Sequence, residues 1–211
     1  LGMASGQFDI VTSTGLSNGV HTLTAVVVTS NLPSTASNSL SITVVPSAPV
    51  ITTLVGQPDN DGTIEVKGTG QPNQSVTLYA DGGTTPVGTG VIDATGHFDI
   101  TTTVTFADGV HRLTATATDA ANLVSPASSQ FTVNVIPDTP VISAVLPVSG
   151  TSQRIEVQGT GEVGETIKLF ADGSTTVLAT GVVDATGHFD IFANILGGAH
   201  IIRATETNAA N

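Results

Sequence analysis

Residues 94–100 read ATGHFDI, and the same seven letters return at 185–191; ASGQFDI at 4–10 is a near copy. Within the phrase, Phe98 and Ile100 are apolar and Asp99 between them is charged. Alternation with period two is the pattern of a strand with one face buried. The Gly before it, with its Ala-Thr or Ala-Ser lead, reads as a turn. Gly6 and Gly96 stand 90 residues apart, and Gly96 and Gly187 stand 91 apart. That period exceeds a solenoid repeat and matches a whole small domain with its own core.

Working outward from 94–100, the same alternation recurs through the middle copy. The pattern predicts strands A 50–55, B 63–68, C 75–80, D 87–92, E 97–104, F 110–118 and G 130–136. Turn residues separate them: Asp61-Gly62, Asp81-Gly82-Gly83, Gly96 and Asp108-Gly109. Nowhere is a 3.6-residue period sustained. The expected fold class is therefore all-β, with tandem immunoglobulin-like β-sandwiches of about seven strands per repeat arranged as a rod. VPSAPVI (45–51) and IPDTPVI (136–142) are paired-proline linkers that favour an extended connection. They divide the chain into residues 1–46, a partial repeat with strands E to G; 47–137, a complete repeat; and 138–211, a repeat with strands A to F. The opening LGMASGQFDI lacks the basic-then-apolar pattern of a signal peptide and starts partway through a repeat, as a segment of a longer chain would.

Composition narrows the function. Seventeen acids against five bases give a formal net charge of −12. Such a surface repels nucleic acid and anionic membranes and attracts divalent cations. The chain has no Cys, so each core stands without disulfides or thiolate metal sites. No 18-residue apolar run is present to span a bilayer. Nucleophile-elbow, zinc-protease and phosphate-loop motifs are missing too, and histidines about one domain apart cannot converge within a rod. The sequence points away from catalysis.

GTGQPNQSVTLYADG (68–82), GTGEVGETIKLFADG (159–173), DATGHFDI (93–100) and ADGVHRLTATATDAAN (107–122) resemble the bacterial Ig-like repeats of very large surface adhesins, typically exported by type I secretion. The resemblance implies a structural spacer or stalk on a secreted or surface-displayed protein. Its partners would be neighbouring repeats of the same chain, with a host-surface ligand for the full protein. It also implies calcium between neighbours, although DAAN (119–122) is a residue shorter than the family's usual DAAGN. The alternative function is a ligand-recognition module for a host glycan or protein. Against it, the chain has no Trp and a single Tyr, Tyr79, on strand C.

Strand order places the AB, CD and EF loops at one end of each sandwich and the BC, DE and FG loops at the other. At the second junction the outgoing end offers Asp59, Asp61, Asp81 and Asp108. The linker adds Asp138, and the third repeat adds Glu162, Asp184 and Asn208. Such oxygens suit Ca²⁺, which takes six to eight of them. The competing reading is that Asp and Asn simply make turns there. The first junction is poorer, offering Ser17, Asn18 and a Pro46-Ser47-Ala48-Pro49 linker. QPDNDGTIEV (57–66) matches an EF-hand loop only in part and reads as a turn. His21, His111 and His200 share one place, two residues before an apolar core position of strand F (Leu23, Leu113, Ile202), and the immunoglobulin fold keeps a corner residue bonded back to its own chain at a similar place. Finally, SLSITVV (39–45) is the kind of strand that the third repeat lacks, which admits strand exchange with another copy; the competing reading is a longer chain simply cut across its domains.

Overall fold

The computed structural model describes residues 6–56, 62–150 and 153–208. Secondary structure among them is strand throughout, and no helix is long and apolar enough to cross a membrane.

In the middle repeat the strands are β5 (Val50–Val55), β6 (Glu65–Thr69), β7 (Ser75–Ala80), β8 (Pro86–Val91), β9 (His97–Thr101), β10 (Gly109–Thr118) and β11 (Phe131–Val135). They follow the β1–β4 hairpin region of the first repeat: β1 (Gly19–Leu23), β2 (Val28–Thr29), β3 (Leu32–Pro33) and β4 (Leu40–Val44). Two antiparallel sheets form, ordered β5-β6-β9 and β11-β10-β7-β8. Their inward faces bury Val66, Phe98 and Ile100 from one sheet, and Val76, Leu78, Leu113, Ala115, Ala117, Val133 and Val135 from the other. This is the sandwich expected from the alternation. The strand predicted over 87–92 forms as β8 and pairs with β7, in the sheet of β10 and β11. Gly88 and Gly90 explain the placement. A Cβ on Gly90 would stand 2.6 Å from the Ile100 side chain, so these glycines let β8 lie over Ile100.

The repeated Phe has a partner glycine. A Cβ on Gly68 would overlap the Phe98 ring and the Val50 carbonyl, and Gly159 stands likewise to Phe189 and Val141. The far end of each ring sits against a glycine of the neighbouring strand.

The third repeat follows the same plan with β12 (Val141–Pro147), β13 (Arg154–Thr160), β14 (Thr166–Ala171), β15 (Ala179–Val182), β16 (His188–Asn194) and β17 (Ile202–Thr207). Its sheets are β12-β13-β16 and β15-β14-β17, closing on Val157, Ile167, Leu169, Val183, Phe189 and Ile191. Strands β5 and β12 both carry a register shift, between Ile51 and Thr53 and between Ile142 and Ala144.

The first repeat corrects one expectation. Strands F and G form, as β1 paired with β4, but the predicted strand E does not: residues 6–12 lie outside any strand, with Phe8 63% and Ile10 73% exposed. Its sequence matches β9, yet β9 is held by β6. A strand pattern without a neighbour to bond stays unpaired.

Candidate inter-repeat site

Five acids meet where the middle and third repeats join. Asp108 comes from the loop before β10, Asp138 from the linker, Glu162 and Glu165 from the loop between β13 and β14, and Glu206 from β17. One carboxylate oxygen from each of Asp108, Glu162 and Glu165 lies within 4.8 Å of the other two. Glu162 Oε1 accepts the Asp138 N–H at 2.6 Å, which ties the linker to the third repeat. The Glu162 N–H donates in turn to Glu206 Oε1 at 2.6 Å.

Donors run out beyond these bonds. Both Asp108 side-chain oxygens, Glu165 Oε2 and Glu206 Oε2 are shielded from solvent and reached by no N–H donor. Asp108 instead faces the carboxyls of Glu162 and Glu165, one oxygen of each within 4.8 Å. The electrostatics follow. Burial, then repulsion from Glu162, Glu165 and Asp108, pushes Glu206 up to about 7 despite its bond from Glu162. Burial first and neighbouring carboxylates second also raise Asp108, Glu162 and Glu165.

Glu206 occupies a position built for something apolar. It corresponds to Ala117, which is fully buried on β10. Room for the larger side chain comes from two neighbours. Ile92 of the middle repeat is Val183 in the third, and a Cβ on Gly161 would stand 2.7 Å from Glu206 Oε1.

The sequence-predicted residues fall into three groups. Asp108, Asp138 and Glu162 are brought together, and Asn208 lies alongside, its Nδ2 3.7 Å from where a Cβ on Gly109 would be. Asp81 and Asp184 are engaged elsewhere. Asp81 Oδ2 bonds His111 Nδ1 at 2.7 Å and Oδ1 accepts the Arg112 N–H at 2.9 Å. Asp184 Oδ1 accepts from the Thr186 N–H, the Thr186 hydroxyl and the His188 N–H, holding its own turn as Asp93 does in the middle repeat. The remaining two, Asp59 and Asp61, lie outside the described residues, as does half of the EF-hand-like stretch. Glu165 and Glu206 escape a reading that looks for acids in turns. The available signal for Glu206 was a charge at the inward phase of β17, after Ile202 and Ala204.

The corner histidines behave as the sequence suggested. His111 Nε2 bonds the Ala107 carbonyl and His200 Nε2 the Leu196 carbonyl, each four residues back, while Nδ1 meets Asp81 or Asp172. His21 reaches the Ser17 carbonyl at 2.7 Å. Burial opposes charge on the His111 ring, but Asp81 and the Ala107 carbonyl outweigh it and raise its pKa.

Residues 46–134 match the family model described as bacterial Ig domain. No curated protein matches the chain. Among solved structures, a tetra-tandem repeat in the extending region of a large adhesion protein is 18% identical over 92% of this chain and 57% of its own, with a TM-score of 0.42. The BSP domain of a biofilm associated protein is 19% identical over 78% of this chain and 27% of its own, with a TM-score of 0.28. This chain thus spans less than two thirds of either relative's length.

Proposed function

We propose that this chain, whose middle repeat is a bacterial Ig domain, is a spacer segment of a secreted or surface-displayed adhesin, stiffened by calcium at its second junction. A spacer must transmit position along its length, so its chemistry belongs at the joints. The linker prolines supply part of the stiffness: Pro46 and Pro49 are buried, and Pro137 and Pro140 half-buried. The single observation that carries the metal reading is the convergence of Asp108, Glu162 and Glu165 on one point, with both Asp108 oxygens and Glu165 Oε2 shielded and short of donors.

These residues fit a hard cation. Carboxylate oxygens are the ligands that Ca²⁺ prefers, and charges this close repel one another without a counter-ion. Asp108 from one repeat and Glu162 and Glu165 from the next would hold the ion, with Asp138 and Glu206 beside them. The ion would supply the positive charge that ties the middle repeat to the third. Glu162 also holds the linker N–H of Asp138, so fixing Glu162 fixes the chain entering the third repeat.

The test is a thermal melt of the chain in excess EDTA, in millimolar Ca²⁺ and in millimolar Mg²⁺. At 100 times its dissociation constant, one bound ion adds about 2.7 kcal/mol to folded-state stability. A calcium-specific rise that is lost in Glu165→Gln is the expected result. No shift between EDTA and Ca²⁺ would leave the prolines as the source of stiffness and remove calcium from the reading.

A further inference from the structure

We propose that Asn18 is a site of spontaneous covalent modification, guarded by Gln71, at which the side-chain amide is lost as ammonia and a carboxylate enters the first junction. The inference does not depend on calcium or on the spacer reading.

Of the asparagines in the chain, Asn18 alone is followed by glycine. Glycine suits the place, because the backbone takes a φ of +133° at Gly19 as it enters β1. Gly19 has no Cβ to shield its own nitrogen, and one built there would meet nothing within 4 Å from elsewhere in the chain. That nitrogen is therefore open to the side chain before it. The corner has the form it takes in a complete repeat. In the middle repeat the same place reads Asp108-Gly109, with Gly109 at a φ of +125°. Residues 107–110 and 17–20 also share one pattern of burial: exposed, half-buried, half-buried, exposed.

The step needs only water. The Gly19 nitrogen attacks Cγ of Asn18, and the new N–Cγ bond closes a cyclic imide. The Cγ–Nδ2 bond breaks, and Nδ2 leaves as ammonia with the proton from the Gly19 nitrogen. Water then opens the ring. Addition at Cγ leaves an aspartate; addition at the main-chain carbonyl of Asn18 leaves an isoaspartate, whose backbone runs through Cβ and Cγ. The second product lengthens the turn that His21 spans by its 2.7 Å bond to the Ser17 carbonyl.

Gln71 sets the pace. Asn18 Nδ2 donates to Gln71 Oε1 at 3.0 Å, across the junction, and any rotation of the side chain toward the Gly19 nitrogen forfeits that bond. Once the carboxylate forms, an oxygen stands where Nδ2 donated, and it faces Gln71 Oε1 acceptor to acceptor. Gln71 can turn its amide to the carboxylate only by giving up the bond it accepts from Gln74 Nε2 at 2.7 Å. The modified junction thus lacks the contact that delayed its modification.

Peptide mapping by mass spectrometry, with isoaspartate detected by its specific methylation, tests this on the whole chain held in mildly alkaline buffer. Asn18 is expected to convert severalfold faster than Asn31 and Asn38, which are exposed in the same repeat. Gln71→Ala removes the acceptor while leaving Asn18 and Gly19 in place, and should raise the rate at Asn18 severalfold without moving that at Asn38. Gln71→Glu keeps an acceptor facing Nδ2 and should stay near the parent rate. Conversion at Asn18 no faster than at Asn38 would overturn the proposal. An Asn18 rate that is unchanged in Gln71→Ala, or raised equally by Gln71→Glu, would overturn the guarding role of Gln71.

Discussion

The two junctions of this chain share one architecture and differ in chemistry. Position for position, Asn18 answers to Asp108, Ser47 to Asp138, Gln71 to Glu162, Gln74 to Glu165, and Ala117 to Glu206. At the first junction the amides bond to each other: Gln71 Oε1 accepts from Asn18 Nδ2 at 3.0 Å and from Gln74 Nε2 at 2.7 Å. An amide carries both donor and acceptor, so a small network can close on itself. A carboxylate only accepts, so the second junction needs positive charge or protons from outside. One joint holds together through its own amide donors, with only Gln74 Oε1 buried and unbonded, whereas the other is conditional on its surroundings.

The largest effect should come from converting the second joint into the first. The variant Asp108→Asn, Glu162→Gln, Glu165→Gln and Glu206→Ala should lose the calcium response and unfold at higher denaturant in chelator. Glu206, pushed from 4.5 to about 7, alone corresponds to about 1–2 kcal/mol once solvent screening is allowed for. Urea titration in EDTA measures this directly. The reverse change, Asn18→Asp with Gln71→Glu and Gln74→Glu, should cost the first joint about 1–3 kcal/mol in chelator through partnerless oxygens. Added Ca²⁺ should recover part of that loss.

Acidity offers a third way to separate the joints. Glu206 binds its proton more tightly folded than unfolded, so its contribution to stability is fully present below pH 4.5 and is lost as pH rises through about 7. In EDTA the third repeat should therefore weaken between these values, and Glu206→Ala should flatten the slope. A smaller contrast lies at the histidine corners. Removing His111, with bonds to both Asp81 and Ala107, should cost about 1–2 kcal/mol in urea midpoints. His21→Ala should cost less, because His21 has one such bond.

Much of this was legible from alternation alone. Phe98, Ile100, Val76 and Leu78 announced a sandwich because burial on one face imposes period two. What alternation does not encode is the neighbour. Residues 86–91 had to become a strand, but only the space over Ile100 at Gly88 and Gly90 determined which sheet received it. Residues 6–12 carry a strand's pattern without a strand's partner. At the junction, Asp108, Asp138 and Glu162 were visible because loops and linkers advertise their acids. Glu165 and Glu206 were missed because one follows a turn at a position where an amide serves equally. The other sits on a strand, where its meaning depends on the smaller Val183 and bare Gly161 across the core.

The register shift shared by β5 and β12 has a consequence under load. The middle and third repeats are entered through β5 and β12, each antiparallel to the next strand, so a pull along the chain shears that ladder lengthwise. The shift cuts the β5 ladder into a leading pair of rungs, at Val50 and Ile51, and a trailing set from Thr53 to Val55. The leading rungs meet the force first and can release while the trailing ones still hold. A molecule pulled from its ends should then lengthen by a short step at β5 and again at β12 before either sandwich opens, a shock absorber at the entrance to both repeats.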